Sequence, residues 1–127
     1  MQAVVVGSTA ITSLPGASSR RGEVSAVREV LTASPLIKSM AELQPPATLD
    51  GGDVMLAGGI LWVGITRRTN LEAVHQMTAI LSPLGIPVVG LPVKDDGSTL
   101  HLKSLMSAFD GTRIIVADVA AGRSVEV

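Results

Sequence analysis

Two stretches of this chain follow one plan, and a chain built that way must lay its units side by side to bury their faces. Ala3 to Val6 and Ala10 to Thr12 are short β-prone runs around Gly7-Ser8, which reads as a hairpin. After the loop LPGASS comes Arg20-Arg21, followed by Val24, Val27, Val30 and Leu31 at helical spacing. Leu36 to Met40 is predicted as a returning strand, and Gln44-Pro45-Pro46 ends the unit. The second pass has Val54 to Ala57, a Gly58-Gly59 turn, Ile60 to Ile65 and Arg67-Arg68. A helix follows with Leu71, Val74, Met77, Ile80 and Leu81 on one face, and the capping-box spacing of Thr69 and Glu72 puts its start there. Pro83 and Gly85 stop it, and Ile86 to Gly90 is the returning strand. The arginine pairs lie 47 positions apart, a period of the size that repeat architectures produce.

Each unit is thus strand, strand, helix, strand, and stacks on its neighbours because it cannot bury its faces alone. A third unit starts and is cut short. Leu102, Leu105, Met106 and Phe109 suit one brief helix and Arg113 to Asp118 a strand, with no closing element after it. The expectation is an α/β chain forming a single incomplete domain over 1–127, with units at about 3–46, 47–92 and 93–127. Strand edges left open in such an array predict self-association or a missing partner segment.

Composition narrows the function. Apolar residues make up 46% of the chain, yet there is one Trp, one Phe and no Tyr, so Val, Leu, Ile, Ala and Met must build the core. A formal net charge of -1 and no Lys/Arg block argue against nucleic acid as a partner. No run approaches the roughly 20 apolar residues that cross a bilayer, and the N-terminus lacks the positive region of a signal peptide. A soluble, cytoplasmic protein is expected. With no cysteine, disulfides and thiolate metal sites are excluded.

Few residues carry chemistry. Asp50 and Asp53 flank Gly51-Gly52 before an apolar strand, a pattern that by itself most often marks a tight turn. His101 lies between Leu100 and Leu102, and alternation sets it on the face opposite those leucines. His75, between Val74 and Gln76, reads as a surface residue. Two arginines just before a helix oppose its macrodipole, which raises the question of another use for Arg20 and Arg68.

The strings TLDGGDV at Thr48 to Val54, ITRRTN at Ile65 to Asn70 and TLHLKS at Thr99 to Ser104 resemble, in order and spacing, the middle of the dimethylarginine hydrolases. These belong to the guanidino-group modifying superfamily. The resemblance covers about Ala3 to Val116 but only about half of the family's usual length. It implies a pentein-like, five-bladed α/β propeller of ββαβ blades around a central channel, of which this chain supplies about two blades and the start of another.

The resemblance also implies roles. Asp50 would orient the histidine and help hold the substrate guanidinium, since a carboxylate pairs with a planar cation by forked hydrogen bonds. His101 would be the general acid and base. Arg20 and Arg68 would clamp the substrate carboxylate, a task suited to a fixed guanidinium fork, while Arg21 and Arg67 are structural. Asp53 is expected to secure its turn by bonding backbone amides.

The loop from Lys94 through Gly97-Ser98 is one to two residues longer than the family pattern. The implied reaction converts N-methylated arginine to citrulline through attack by a cysteine thiolate, without metal or organic cofactor. This chain has no such cysteine and lacks the family's acidic segment before the first hairpin, so it is not expected to be a competent hydrolase alone. Two readings remain: a portion of a dimethylarginine hydrolase whose C-terminal half is elsewhere, or a non-catalytic, self-associating scaffold that binds arginine-like ligands. Arginine or agmatine deimination and amidino transfer fit ITRRTN and LHLKS less well.

Overall fold

The computed structural model describes residues 3–12, 23–93, 102, 106–108, 113–116 and 124–126. Among the described residues three three-stranded sheets follow one another. In the first, β1 (Ala3–Val6) and β2 (Thr9–Thr12) form an antiparallel hairpin, α1 (Glu23–Ala33) crosses over, and β3 (Ser39–Glu42) returns parallel to β2. The second repeats this with β4 (Val54–Ala57), β5 (Ile60–Ile65), α2 (Leu71–Leu81) and β6 (Val88–Pro92). Both hairpins turn on two residues. Gly7 has φ 60°, and Gly58 and Gly59 have φ 60° and 73°, left-handed values that tight hairpin turns require and glycine adopts without a Cβ penalty.

The third sheet differs. β7 (Met106–Ala108), β8 (Arg113–Val116) and β9 (Ser124–Glu126) are antiparallel throughout. The brief helix expected through Met106 is therefore replaced there by a strand, and β9 follows where the sequence predicts no element. Four apolar residues at helical spacing do not distinguish a short helix from a strand that gains its hydrogen bonds from a neighbour. Leu105, Phe109 and Asp118 lie outside the described residues.

Both returning strands begin later than predicted. Ser34 ends α1 in a turn, accepting at its side-chain oxygen from the Leu36 amide (3.3 Å) and at its carbonyl from the Ile37 amide (3.3 Å). Leu36 is left 78% exposed, and pairing starts at Ser39 opposite Thr9. After α2, the Ile86 amide still donates to the Leu81 carbonyl (3.3 Å), so β6 starts at Val88.

One core joins the first two sheets. Val4, Val6 and Ile11 pack with Leu43 and Leu49 of the connection and with Leu61, Val63, Val74, Met77 and Leu81 of the second unit. α2 presents Ala73, Val74, Met77 and Leu81 to it, whereas Leu71, expected on that face, is exposed. A smaller cluster, Met55, Ala57, Leu102 and Met106, ties the second sheet to the third. No helix among the described residues is long and apolar enough to cross a membrane.

Candidate functional site

The strings carrying Asp50 and Arg68 lie together because the connection from the first unit runs across the start of α2. Asn70 caps that helix, its side-chain oxygen accepting from the Ala73 amide (3.1 Å). The same oxygen accepts from the Thr48 amide (3.1 Å), and Asn70 Nδ2 donates to the Pro46 carbonyl (2.8 Å). The cap is thus Asn70, one residue beyond the expected Thr69. Farther along α2, Gln76 accepts from the Gln44 amide (2.8 Å) and donates to the Gln44 carbonyl (2.9 Å). These bonds fix the approach to Asp50.

Asp50 itself opens a short 3-10 turn over Gly51–Asp53. Its carboxylate accepts from the Gly52 amide (3.0 Å), its carbonyl from the Asp53 amide (2.9 Å), and its own amide donates to Thr69 Oγ1 (3.1 Å). The side chain is buried, with 3% of the residue exposed. A carboxylate in such surroundings must be hydrogen-bonded or paired. A groove of about 310 Å³ runs beside this turn between the first two hairpins, lined by Val4, Val5, Gly51, Val54 and Leu56 among others.

The two aspartates bond in different directions. The turn amide is bound by Asp50, while Asp53, fully buried, reaches outward. Asp53 Oδ2 accepts from Thr66 Oγ1 (2.9 Å) and Thr69 Oγ1 (2.5 Å), and Oδ1 accepts from the Leu102 amide (2.9 Å). Thr66 Oγ1 in turn accepts from the amides of Arg68 (3.0 Å) and Thr69 (3.2 Å). Thr66, which the sequence reading passes over, and Thr69, expected there only as a helix cap, bracket the arginine pair, and a hydroxyl on each side of it is the signal that one carboxylate binds the loop twice.

Arg68 is half-buried on this loop and Arg67 is exposed. Asp50 and Arg68 are therefore mounted on one hydrogen-bonded platform. His75 is exposed on α2, 3.9 Å from Glu72 through Nδ1. Arg20, Arg21, His101 and the loop from Lys94 lie outside the described residues, so the remaining predicted site positions have no geometry here. Among the described residues no three His, Cys, Asp or Glu side chains gather as a metal site requires.

Two hairpin, helix and parallel-strand units, stacked with a buried acidic turn at their junction, define part of an α/β propeller of the pentein type. A solved structure of the dimethylarginine hydrolase of Pseudomonas aeruginosa, a cysteine-to-serine mutant complexed with citrulline, superposes with a TM-score of 0.82 at 28% identity, covering 96% of this chain and 46% of that one. In sequence, a dimethylarginine dimethylaminohydrolase of Streptomyces coelicolor is 43% identical over 112 residues, which is 87% of this chain and 42% of that enzyme. The enzyme of Pseudomonas aeruginosa is 34% identical over 109 residues, 85% of this chain and 41% of its own length. No family model matches. Within the pentein class the chain is a homologue of part of the dimethylarginine dimethylaminohydrolases. It spans about two fifths of the length of the curated relatives it matches.

Proposed function

We propose that the chain is a portion of an N,N-dimethylarginine hydrolase, carrying the substrate carboxylate clamp and the acid-base group but not the nucleophile. The observation that supports this most is the platform that mounts Asp50 and Arg68 together, in a chain 43% identical to such an enzyme. In the proposed site Arg20 and Arg68 hold the amino-acid carboxylate and Asp50 holds the guanidinium and orients His101. A thiolate from outside these 127 residues attacks the guanidinium carbon, and His101 gives a proton to the departing dimethylamine. His101 then takes a proton from the water that releases citrulline. With the thiol absent, rate falls by several powers of ten, because the remaining groups only bind and polarise.

A second reading, a self-associating scaffold that binds arginine-like ligands without turnover, is favoured by Val5 and Leu56. They stand half-exposed at the same place in the edge strands of the first two sheets. One set of measurements separates the readings: citrulline release from dimethylarginine, citrulline binding by calorimetry, and mass by sedimentation, with Arg68→Ala and His101→Ala alongside. The hydrolase portion predicts no release, and citrulline binding weakened about tenfold or more by Arg68→Ala, as expected for loss of a charge-assisted pair. Citrulline release abolished by His101→Ala would contradict the missing nucleophile. Citrulline binding indifferent to Arg68 would remove the clamp, and concentration-dependent mass together with such binding and no release would leave the scaffold.

A further inference from the structure

The turn at Asp50 and the loop at Arg68 are each closed on themselves. In the turn, the Gly52 amide donates to the Asp50 carboxylate and the Asp53 amide to the Asp50 carbonyl. In the loop, the Thr66 amide donates to the Thr69 carbonyl (2.9 Å), and Thr66 Oγ1 accepts from the Arg68 and Thr69 amides. Two pieces closed in this way keep their own shapes, but nothing within either sets how they sit against each other. Asn70 pins the chain farther back, at Thr48. Beside Asp50 the join runs through Asp53 and Thr69.

Both of these side chains are fully buried, so neither is placed to touch a ligand. The direction of their hydrogen bonds is fixed. Thr69 and Thr66 each give their one hydroxyl proton to Asp53 Oδ2. A carboxylate only accepts, so it turns both hydroxyls with their lone pairs outward. Those lone pairs take the Asp50 amide at Thr69 and the Arg68 amide at Thr66. A continuous line of hydrogen bonds thus leads from the Asp50 amide through Thr69, Asp53 and Thr66 to the Arg68 amide, each bond polarising the next. The other oxygen, Oδ1, accepts from the Leu102 amide, and the carboxylate cannot swing out of line without stranding that buried donor.

We infer that Asp53 is a positioning residue: by setting the Thr66 and Thr69 hydroxyls it fixes the spacing between Asp50 and Arg68, which hold the two ends of one arginine-like ligand. This rests on the proposed function for what Asp50 and Arg68 hold. A carboxamide cannot replace the carboxylate, because its amino group must face either the two hydroxyls or the Leu102 amide. Facing the hydroxyls, it turns them and takes the lone pairs that the Asp50 and Arg68 amides use. Facing Leu102, it sets donor against donor.

The test joins citrulline binding by calorimetry to amide exchange by NMR in Asp53→Asn, Thr69→Val and Thr69→Ser. Asp53→Asn and Thr69→Val should weaken binding about tenfold or more, and Thr69→Ser, which keeps the hydroxyl, should return it to within about threefold of the unaltered chain. Exchange is measured without ligand. In Asp53→Asn the Asp50 and Arg68 amides should both exchange about tenfold faster or more, and in Thr69→Val only the Asp50 amide, since Thr66 stays bonded to Asp53. The Leu61 amide, bonded to the Pro87 carbonyl in the second sheet, should keep its protection in all three.

Equal loss of protection at Leu61 and Arg68 in Asp53→Asn would show a support of the whole fold and overturn the positioning role. So would citrulline binding that is unchanged in Asp53→Asn, or as weak in Thr69→Ser as in Thr69→Val. Should Asp53→Asn fail to fold, the two Thr69 variants decide, since they leave the carboxylate in place. Failure of citrulline to bind the unaltered chain would count against the proposed function, and the exchange pattern would still decide whether Asp53 sets the two segments.

Discussion

Asn70 shows how much one side chain can fix. Its carboxamide caps α2 through Ala73, accepts from Thr48 and donates to Pro46, so both faces of the amide are used on the chain segment that leads to Asp50. Asn70→Ala removes the cap, about 1 kcal/mol, and leaves the part-buried Thr48 amide without its acceptor, for a loss of about 2 kcal/mol in all. Asn70→Asp keeps both accepted bonds and places a negative charge at a helix N-terminus, which offsets the lost donor, so its cost should stay within about 1 kcal/mol. Urea unfolding of the two variants checks the contrast. At this scale the sequence was legible where residue types mark local backbone, as for Asp50-Gly51-Gly52, a turn before the apolar strand β4. It was illegible where function depends on partnership: Asp53 meets Thr66 and Leu102 across 13 and 49 positions, and nothing in the string says which hydroxyl or amide a carboxylate will find.

At the scale of elements, α1 and α2 are a controlled comparison. Both have apolar residues at helical spacing and both run 11 residues, yet Met77 of α2 is fully buried and Val30 of α1 is 71% exposed. Periodicity shows which residues share a face; what covers that face is a matter of tertiary packing. Met77→Ala should cost about 2–5 kcal/mol through lost contacts and a residual cavity, whereas Val30→Ala should change stability by no more than about 0.5 kcal/mol. Thermal melts of the two variants test this; equal losses would mean that α1 is covered as α2 is. The same limit explains the misread elements. The two hairpins were legible because Gly7 and Gly58-Gly59 punctuate β-prone runs. The returning strands began late because helix-exit turns at Ser34 and Gly85 consume the first apolar residues. Met106 entered a strand because pairing with Val116 was available to it.

At the scale of the whole molecule, the sequence repeat predicts units that cannot bury their faces alone, and the packing takes this further, into one shared core. In an array whose repeats touch only through modest interfaces, stability is close to a sum of unit and neighbour terms, and damage stays local. Here Ile11 of β2 belongs to the same buried cluster as Leu61, Val63 and Met77 of the second unit, and the connection is pinned to α2 by Gln76 as well as Asn70. Removing the Ile11 side chain beyond Cβ should therefore cost about 2–5 kcal/mol and loosen both units together. Native-state hydrogen exchange on Ile11→Ala gives the test, since it reads opening residue by residue. The expected result is loss of protection at β2 amides and, by a similar factor, at the Leu61 amide, which donates to Pro87 (2.9 Å), and at Val63, which pairs with Val54 and Gly90. Loss confined to β1, β2 and β3 would show two units that merely adjoin. Joint loss would show one cooperative body, in which the turn of Asp50 and the loop of Arg68 owe their rigidity to a core that begins in the first hairpin.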